Sequence, residues 1–328
     1  MADGVKGGEG GSFVLEWLGV PLMLVVMGGD GIPLQDHDRI VLLGDTLIER
    51  EARFGWTEKA LLLATPAKGL TFRNLGWSGD TPAGLSRAYF DPPEVGFQRL
   101  VDQVKACQPT VLIVGYGMAS ALDAIPVATF MEEYRRLVQA IEPPPRVWVF
   151  LSPIQTNVPG RSKPSENMQQ RLQAYAQAIR QLAEEKKGAY VDLLPLPSSS
   201  EGFVEPNGIH LRDAGYRGFA QRLLDVFYPG SSVLQKTLAD PLADRVPADT
   251  APSLVSRLDT LIRRKNELYF ERYRPQNITY LLGFRAYEQG QNAKEIEALD
   301  PAIAKVELDI NAICSEIREH DSQEKTSP

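Results

Sequence analysis

"RIVLLGDTLIER", residues Arg39 to Arg50, runs four apolar residues into Gly-Asp-Thr and then into a helical pattern. A short, nearly continuous apolar run suits a parallel strand covered on both faces. The turn that ends it has two readings. Gly and Asp are common loop residues, and a hydroxyl at a helix start accepts a free backbone amide. A hydroxyl on a tight strand-to-helix turn is also where many hydrolases present their nucleophile. The turn alone does not choose between them.

The same punctuation repeats outward from this stretch. "LTFRNLG", "TVLIVGYG", "RVWVFLS" and "AYVDLL" read as further strands. Between them, "TLIEREARFGWTEKALLL", "VGFQRLVDQVKACQP", "PVATFMEEYRRLVQAIE" and "SENMQQRLQAYAQAIRQLAEEKKG" carry helical spacing, and "DAGYRGFAQRLLDVFY" closes the series. Strands alternating with helices predict an α/β fold: a three-layer α/β/α sandwich over residues 35–228, its five-stranded parallel sheet in the order 2-1-3-4-5. Such sheets bind ligands beyond the carboxyl ends of their strands. No Gly-x-Gly-x-x-Gly opens a helix after the first strand, and no Walker A lysine signature is present.

After Tyr228 the composition turns rich in Pro, Ser and Asp, which predicts a linker over 229–252. "LVSRLDTLIRRKNELYFERYRP" and "PAIAKVELDINAICSEIREH" are charged helix candidates. Residues 253–319 carry too little continuous apolar sequence for a core of their own, so they are expected to form a helical extension packed on the domain. A disordered tail is expected at 320–328. Acidic residues alternate with the basic ones in the first of these helices, which suits a solvated amphipathic surface with intrahelical ion pairs.

The formal net charge of -7 and a pI near 5.2 disfavour nucleic acid as a partner. Cys107 and Cys314 make no metal or redox spacing, and three histidines are too few for a ready metal site; neither metal nor cofactor is expected. Residues 1–34 include the apolar "FVLEWLGVPLMLVVMGG", short for a membrane span and without a Lys/Arg-rich leader. It reads as a signal or as a loose membrane anchor through residues 13–28; a buried strand or apolar cover is the alternative. Exported or periplasmic localisation is expected ahead of cytoplasmic.

A hydroxyl attacking an acyl carbon needs a base for its proton and donors for the developing oxyanion. His210, in "NGIHLRDAGY", is the histidine in a loop at the right stage of the fold; His37 and His320 read as surface residues. The Thr46 amide and the Gly76 amide are the candidate donors, with Asn74 a turn-maker. Asp45, Asp80 and Asp213 each read as a helix-start or turn residue, and each is a candidate acid for His210.

These blocks, taken in order, resemble the GDSL-type hydrolases of the SGNH superfamily, in particular the planctomycete-like group with a C-terminal extension. "VLLGDTLIE", "NLGWSGDT", "YGMAS" and "PNGIHLRDAGY" resemble its four motif blocks, and "KNELYFERYRPQNITYLLGFRAYEQGQNAKEI" resembles its extension. The resemblance implies a flavodoxin-like SGNH hydrolase fold with Thr46 as nucleophile, His210 as base, Asn207 in place of the acid, and an oxyanion site of Thr46, Gly76 and Ala119. Asp45, Tyr116, Tyr273, Arg274 and Tyr280 are then the expected pocket residues.

The departures all weaken the chemistry. Thr46 stands where the family has serine, Ala119 where it has an oxyanion asparagine, and Asn207 where it has an acid. In serine proteases, losing one side-chain donor costs roughly 100- to 1000-fold in turnover, and an acid-to-amide change beside the histidine roughly 10,000-fold. The expectation is a hydrolase-like protein with impaired or lost esterase chemistry and a retained pocket for a small acyl ester or an acetylated carbohydrate. The alternatives are an active carboxylic-ester hydrolase using a Thr46-His210 dyad and a non-catalytic binding or structural subunit.

Overall fold

A computed structural model describes residues 31–155, 166–196, 202–234, 253–281, 283–289 and 293–326. Five strands pair in parallel: β1 (Arg39–Gly44), β2 (Thr71–Gly76), β3 (Val111–Gly115), β4 (Val147–Leu151) and β5 (Ala189–Val191). Their order is β2-β1-β3-β4-β5, as the alternation predicts. β3 and β4 are buried at every residue, which is why "VLIVG" and "VWVFL" show no polar alternation. Helices α1 (Thr46–Glu51), α2 (Trp56–Ala64), α3 (Pro93–Cys107), α4 (Met118–Leu122), α5 (Val127–Ala140), α6 (Glu166–Glu185) and α7 (Asp213–Phe227) flank the sheet in an α/β/α sandwich.

The run read as one helix after Thr46 is two, α1 and α2, broken at Gly55 with φ +64°. A Cβ there would sit 2.6 Å from Ile262 of the extension, so the break also gives that segment room to dock.

A row of glycines fixes the top of the sheet. Gly44 pairs with Gly76 on one side and with Gly115 on the other. A Cβ on Gly44 would lie 2.1 Å from the Gly115 carbonyl, and one on Gly76 would lie 2.1 Å from the Glu49 amide. The missing side chains let α1 lie directly across the strand ends, with buried Ile48 against Gly44 and Gly115. Thr46 is thereby held at the carboxyl edge of the sheet.

The helix Leu254–Tyr273 packs against β2, an edge strand, and the terminal helix Leu299–Thr326 packs on that helix. Thr71 and Trp77 donate their amides to β1-side carbonyls, so by strand alternation Phe72 and Gly76 present theirs outward. The extension meets those outward groups: Lys265 Nζ donates to the Phe72 carbonyl at 3.2 Å and the Tyr273 hydroxyl to the Gly76 carbonyl at 2.5 Å. An unpaired edge is a site for unwanted strand pairing, and here it is covered. Lys265 also pairs with buried Glu58, Lys59 bonds Asp259, and Arg73 pairs with Glu307.

The terminal helix runs to Thr326, through most of the span read as a tail. The expectation of a membrane association through residues 13–28 is corrected: among the described residues no helix is long and apolar enough to cross a membrane. Residues 13–28 themselves, and most of the 229–252 linker, lie outside the described residues.

Candidate active site

Asp45 caps α1. Its Oδ1 accepts the Leu47 amide at 3.1 Å, and its Oδ2 accepts the Met118 amide at 3.1 Å. One carboxylate therefore ties the starts of α1 and α4 together behind the site. Burial raises its pKa to about 6, despite the opposing amides of Leu47, Met118 and Ala119. Asp45 is a positioning group in this arrangement and does not bond His210.

Thr46 is the first residue of α1, and its Oγ1 accepts the Gly79 amide at 3.1 Å. Gly79 lies in the tight turn in which Asp80 N donates to Trp77 O, with φ +71°. Glu49 anchors that turn through the amide and hydroxyl of Ser78. From behind, the fully buried Asp80–Arg87 pair holds it at 2.8 Å, with Tyr116 donating to Asp80 at 3.3 Å. Asp80 is thus committed to Arg87 rather than to the histidine.

Gly76 differs from its expected role. Its amide donates to Asn74 Oδ1 at 2.9 Å, while Asn74 Nδ2 reaches the Ile48 carbonyl at 2.7 Å. Asn74 is a clip between β2 and α1, and the donor presented to Thr46 belongs to Gly79. The motif "NLGWSGDT" holds both glycines.

His210 sits on a short hairpin closed by the antiparallel bridge between Val204 and Leu211. Glu205 N donates to His210 O at 2.7 Å, and Gly208 N to Glu205 O at 2.8 Å, so Glu-Pro-Asn-Gly forms the turn. Within it, Asn207 Oδ1 accepts the amides of Ile209 and His210 at 3.0 and 3.1 Å. That fixes the amide's orientation and leaves Asn207 Nδ2 facing His210 Nδ1 at 2.9 Å. Glu205 Oε2 stands 3.7 Å from the same ring nitrogen and is paired with Arg50, which follows Thr46 by one turn of α1. Burial, and then Arg50, lower the His210 pKa; Glu205 opposes the shift. Asp213, the remaining candidate acid, accepts from Trp56 Nε1 at 2.8 Å instead.

Thr46 and His210 wall one hollow with Asp45, Arg50, Tyr116 and Ser152. Its free space is about 20 Å³, room for roughly one water. Met118, not Ala119, reaches that hollow, and the Ala119 methyl offers no donor. Tyr273, Arg274 and Tyr280, expected as pocket walls, do not line it. Tyr273 is spent on Gly76, Tyr280 meets Arg285, and Arg274 pairs with Glu49 at 2.5 Å. Arg274 lines a separate open cleft of about 460 Å³ with Trp77, Tyr89 and Asn277. Among the described residues no group of three or more His, Cys, Asp or Glu side chains gathers to hold a metal ion.

Residues 42–217 match the GDSL-like Lipase/Acylhydrolase family. The chain belongs to that family. No curated protein sequence matches it. Among solved structures, this GDSL-like protein resembles a gut microbial diltiazem-metabolizing enzyme at TM-score 0.60 and 11% identity, over 88% of this chain and 97% of that one. A catalytic mutant of the acetylxylan esterase Axe2 from Geobacillus stearothermophilus aligns at TM-score 0.50 and 16% identity, over 62% of this chain and 98% of that one. LAE5, an alpha/beta hydrolase enzyme from the metagenome of Lake Arreo, Spain, aligns at TM-score 0.50 and 17% identity, over 62% of this chain and 100% of that one. At such identities the likeness is one of fold.

Proposed function

We propose that this GDSL-like protein is a hydrolase-like scaffold whose ester-cleaving chemistry is impaired or lost. The observation that carries the proposal is the Asn207–His210 contact. As Thr46 Oγ1 bonds to an acyl carbon, its proton must pass to a bare Nε2 on the histidine. Asn207 donates through Nδ2, so Nδ1 must accept and the ring proton resides on Nε2, the wrong tautomer for a base. Asn207 cannot turn its oxygen to the ring, because that oxygen holds two backbone amides. Ala119 withdraws a side-chain oxyanion donor, and the nearly filled hollow leaves little room for an acyl group.

The Gly79 amide is the main-chain donor in this reading, and Thr46 and His210 are the residues that would react. The substrate class, were cleavage to occur, is a short acyl ester or an acetylated sugar. The acetylxylan esterase among the structural relatives makes acetylated xylo-oligosaccharides a natural panel. We assign the chain to the planctomycete-like group, supported by the extension stretch from Lys265 to Ile296. Residues 35–228 are the hydrolase-type unit and 253–319 its helical extension.

An active Thr46-His210 dyad is the second reading, favoured by one observation: both residues line the same hollow. Rates on p-nitrophenyl acetate and acetylated sugars decide between them, measured for wild type, His210→Ala and the combined Thr46→Ser, Ala119→Asn, Asn207→Asp variant. Background turnover by wild type with a large gain in the combined variant is the expected result. Robust wild-type turnover abolished by His210→Ala would overturn the proposal in favour of the dyad.

A further inference from the structure

The hairpin that carries His210 places a second group beside it. In an antiparallel pair, opposed residues project to the same side, so the turn that sets Glu205 N against His210 O also brings their side chains together. Glu205 is an anion 3.7 Å from Nδ1, whereas Asn207 at 2.9 Å is a neutral donor. What keeps Glu205 from closing that gap is Arg50. The guanidinium bonds Glu205 through Nη2, and its buried Nε has no partner. Arg50 is 15% exposed, lines the hollow, and shares a face of α1 with Thr46. The charged groups acting on His210 are thus Arg50 and Arg53 from the α1 side and Glu205 from its own hairpin.

We infer that Arg50 and Glu205 form a latch on His210: while Arg50 holds Glu205, Asn207 sets the imidazole to its Nε2–H form, and when Arg50 lets go, the ring proton passes through solvent from Nε2 to Nδ1, where Nδ1–H donates to Glu205 and Nε2 is left bare. This rests on the proposed function, in which Asn207 selects the inert tautomer, and it names Glu205 as the positioning residue that reverses the selection. A carboxylate accepting Nδ1–H makes a charge-assisted hydrogen bond that a side-chain amide cannot match. Released, Glu205 fills the role of the absent acid: Nδ1–H donates to it, and Nε2 accepts the proton from Thr46 Oγ1. A ligand anion that engages Arg50 is the chemistry that would open the latch.

The histidine tautomer reports the latch directly and does not depend on turnover. With three histidines in the chain, ¹⁵N-labelled imidazole spectra assign His210 by the signals lost in His210→Gln. Wild type at a pH where the ring is neutral should show Nε2–H. Arg50→Gln should shift the ring toward Nδ1–H by about tenfold in population, and Arg50→Gln with Glu205→Gln should return it. Removing the arginine charge alone would alter the ring's proton affinity but leave the tautomer with Asn207, so an Arg50→Gln ring still in the Nε2–H form would overturn the latch. Asn207→Ala, with Arg50 intact, is the independent variant: a shift to Nδ1–H supports Glu205 as the waiting partner, and Nε2–H counts against it. Wild type already in the Nδ1–H form would instead refute the premise that Asn207 selects the tautomer.

Discussion

The Tyr273 hydroxyl, from the last residue of the first extension helix, donates to the Gly76 carbonyl at the end of β2 over 2.5 Å. The contact joins the extension to the strand whose end begins the donor turn. Next in sequence, Arg274 lies over the Trp77 ring at 4.2 Å and pairs with Glu49, which itself holds Ser78. Tyr273→Phe removes the donor and leaves the edge carbonyl unsatisfied, at about 1–3 kcal/mol, which corresponds to a Tm lower by roughly 2–8 °C. Thermal unfolding followed by circular dichroism checks this; an unchanged Tm would show that the contact adds nothing to docking.

Lys265 is expected to matter more. Its ammonium is 1% exposed and faces Glu58, 7% exposed, with Glu51 also buried nearby. Lys265→Met strands Glu58 without its cation and should cost about 3–5 kcal/mol, because a lone buried charge is worse than none. Lys265→Met combined with Glu58→Leu should recover most of that loss. Urea unfolding of the two variants is the measurement, and equal destabilisation in both would rule out the stranded charge as the cause.

The two glycines of the second motif should respond differently. In Gly76→Ala the new Cβ meets the Glu49 backbone at 2.1 Å, a clash with no flexible partner, so folding should fail or stability drop by more than about 3 kcal/mol. In Gly79→Ala the nearest atom is Ser86 Oγ at 3.7 Å, and the penalty is only the left-handed backbone, about 1–2 kcal/mol. Soluble yield and denaturation midpoints separate the two. A benign Gly76→Ala would contradict the close approach of α1 to the strand ends.

Asp45 makes stability depend on pH in a stated direction. Its native pKa of about 6 lies above the ordinary 3.8, so the native state binds the proton more tightly than the unfolded chain. Its contribution is therefore fully present below pH 3.8 and is lost as pH rises through about 6, by roughly 3 kcal/mol in all. Buried Glu51 and Glu58, also raised, act with the same sign. Asp45→Asn should flatten the stability profile between pH 4 and 6 without abolishing its slope. Chemical denaturation across that range measures it, and a variant profile parallel to wild type would refute the assignment.

The sheet and its order were legible because each strand is a short apolar run stopped by glycine, and parallel pairing with right-handed crossovers leaves few arrangements. Gly44, Gly76 and Gly115 were visible as strand ends, though not as a row in register, which arises from pairing between strands distant in sequence. The same limit hid the donor. "NLGWSGDT" contains two glycines, and only the contact of Asn74 with Gly76 shows that one amide is already spent. Glu205 had a local signal, the Glu-Pro-Asn-Gly turn, whose closure sets Glu205 against His210. A pattern of residues places it in reach, but its pairing with Arg50, 155 positions away, shows only in the tertiary structure.

By itself, then, the order of residues determined the α/β sandwich and the presence of Thr46 at the end of the first strand and of His210 in the loop before the sandwich's last helix. Only the tertiary structure decided which amide faces Thr46, how little space surrounds it, where Tyr273 and Arg274 go, and which way the Asn207 amide is turned. The physical reason is one of range. Strand and helix periods are written in neighbouring residues, whereas the orientation of a hydrogen-bonding group depends on which partners from remote segments have already claimed its atoms.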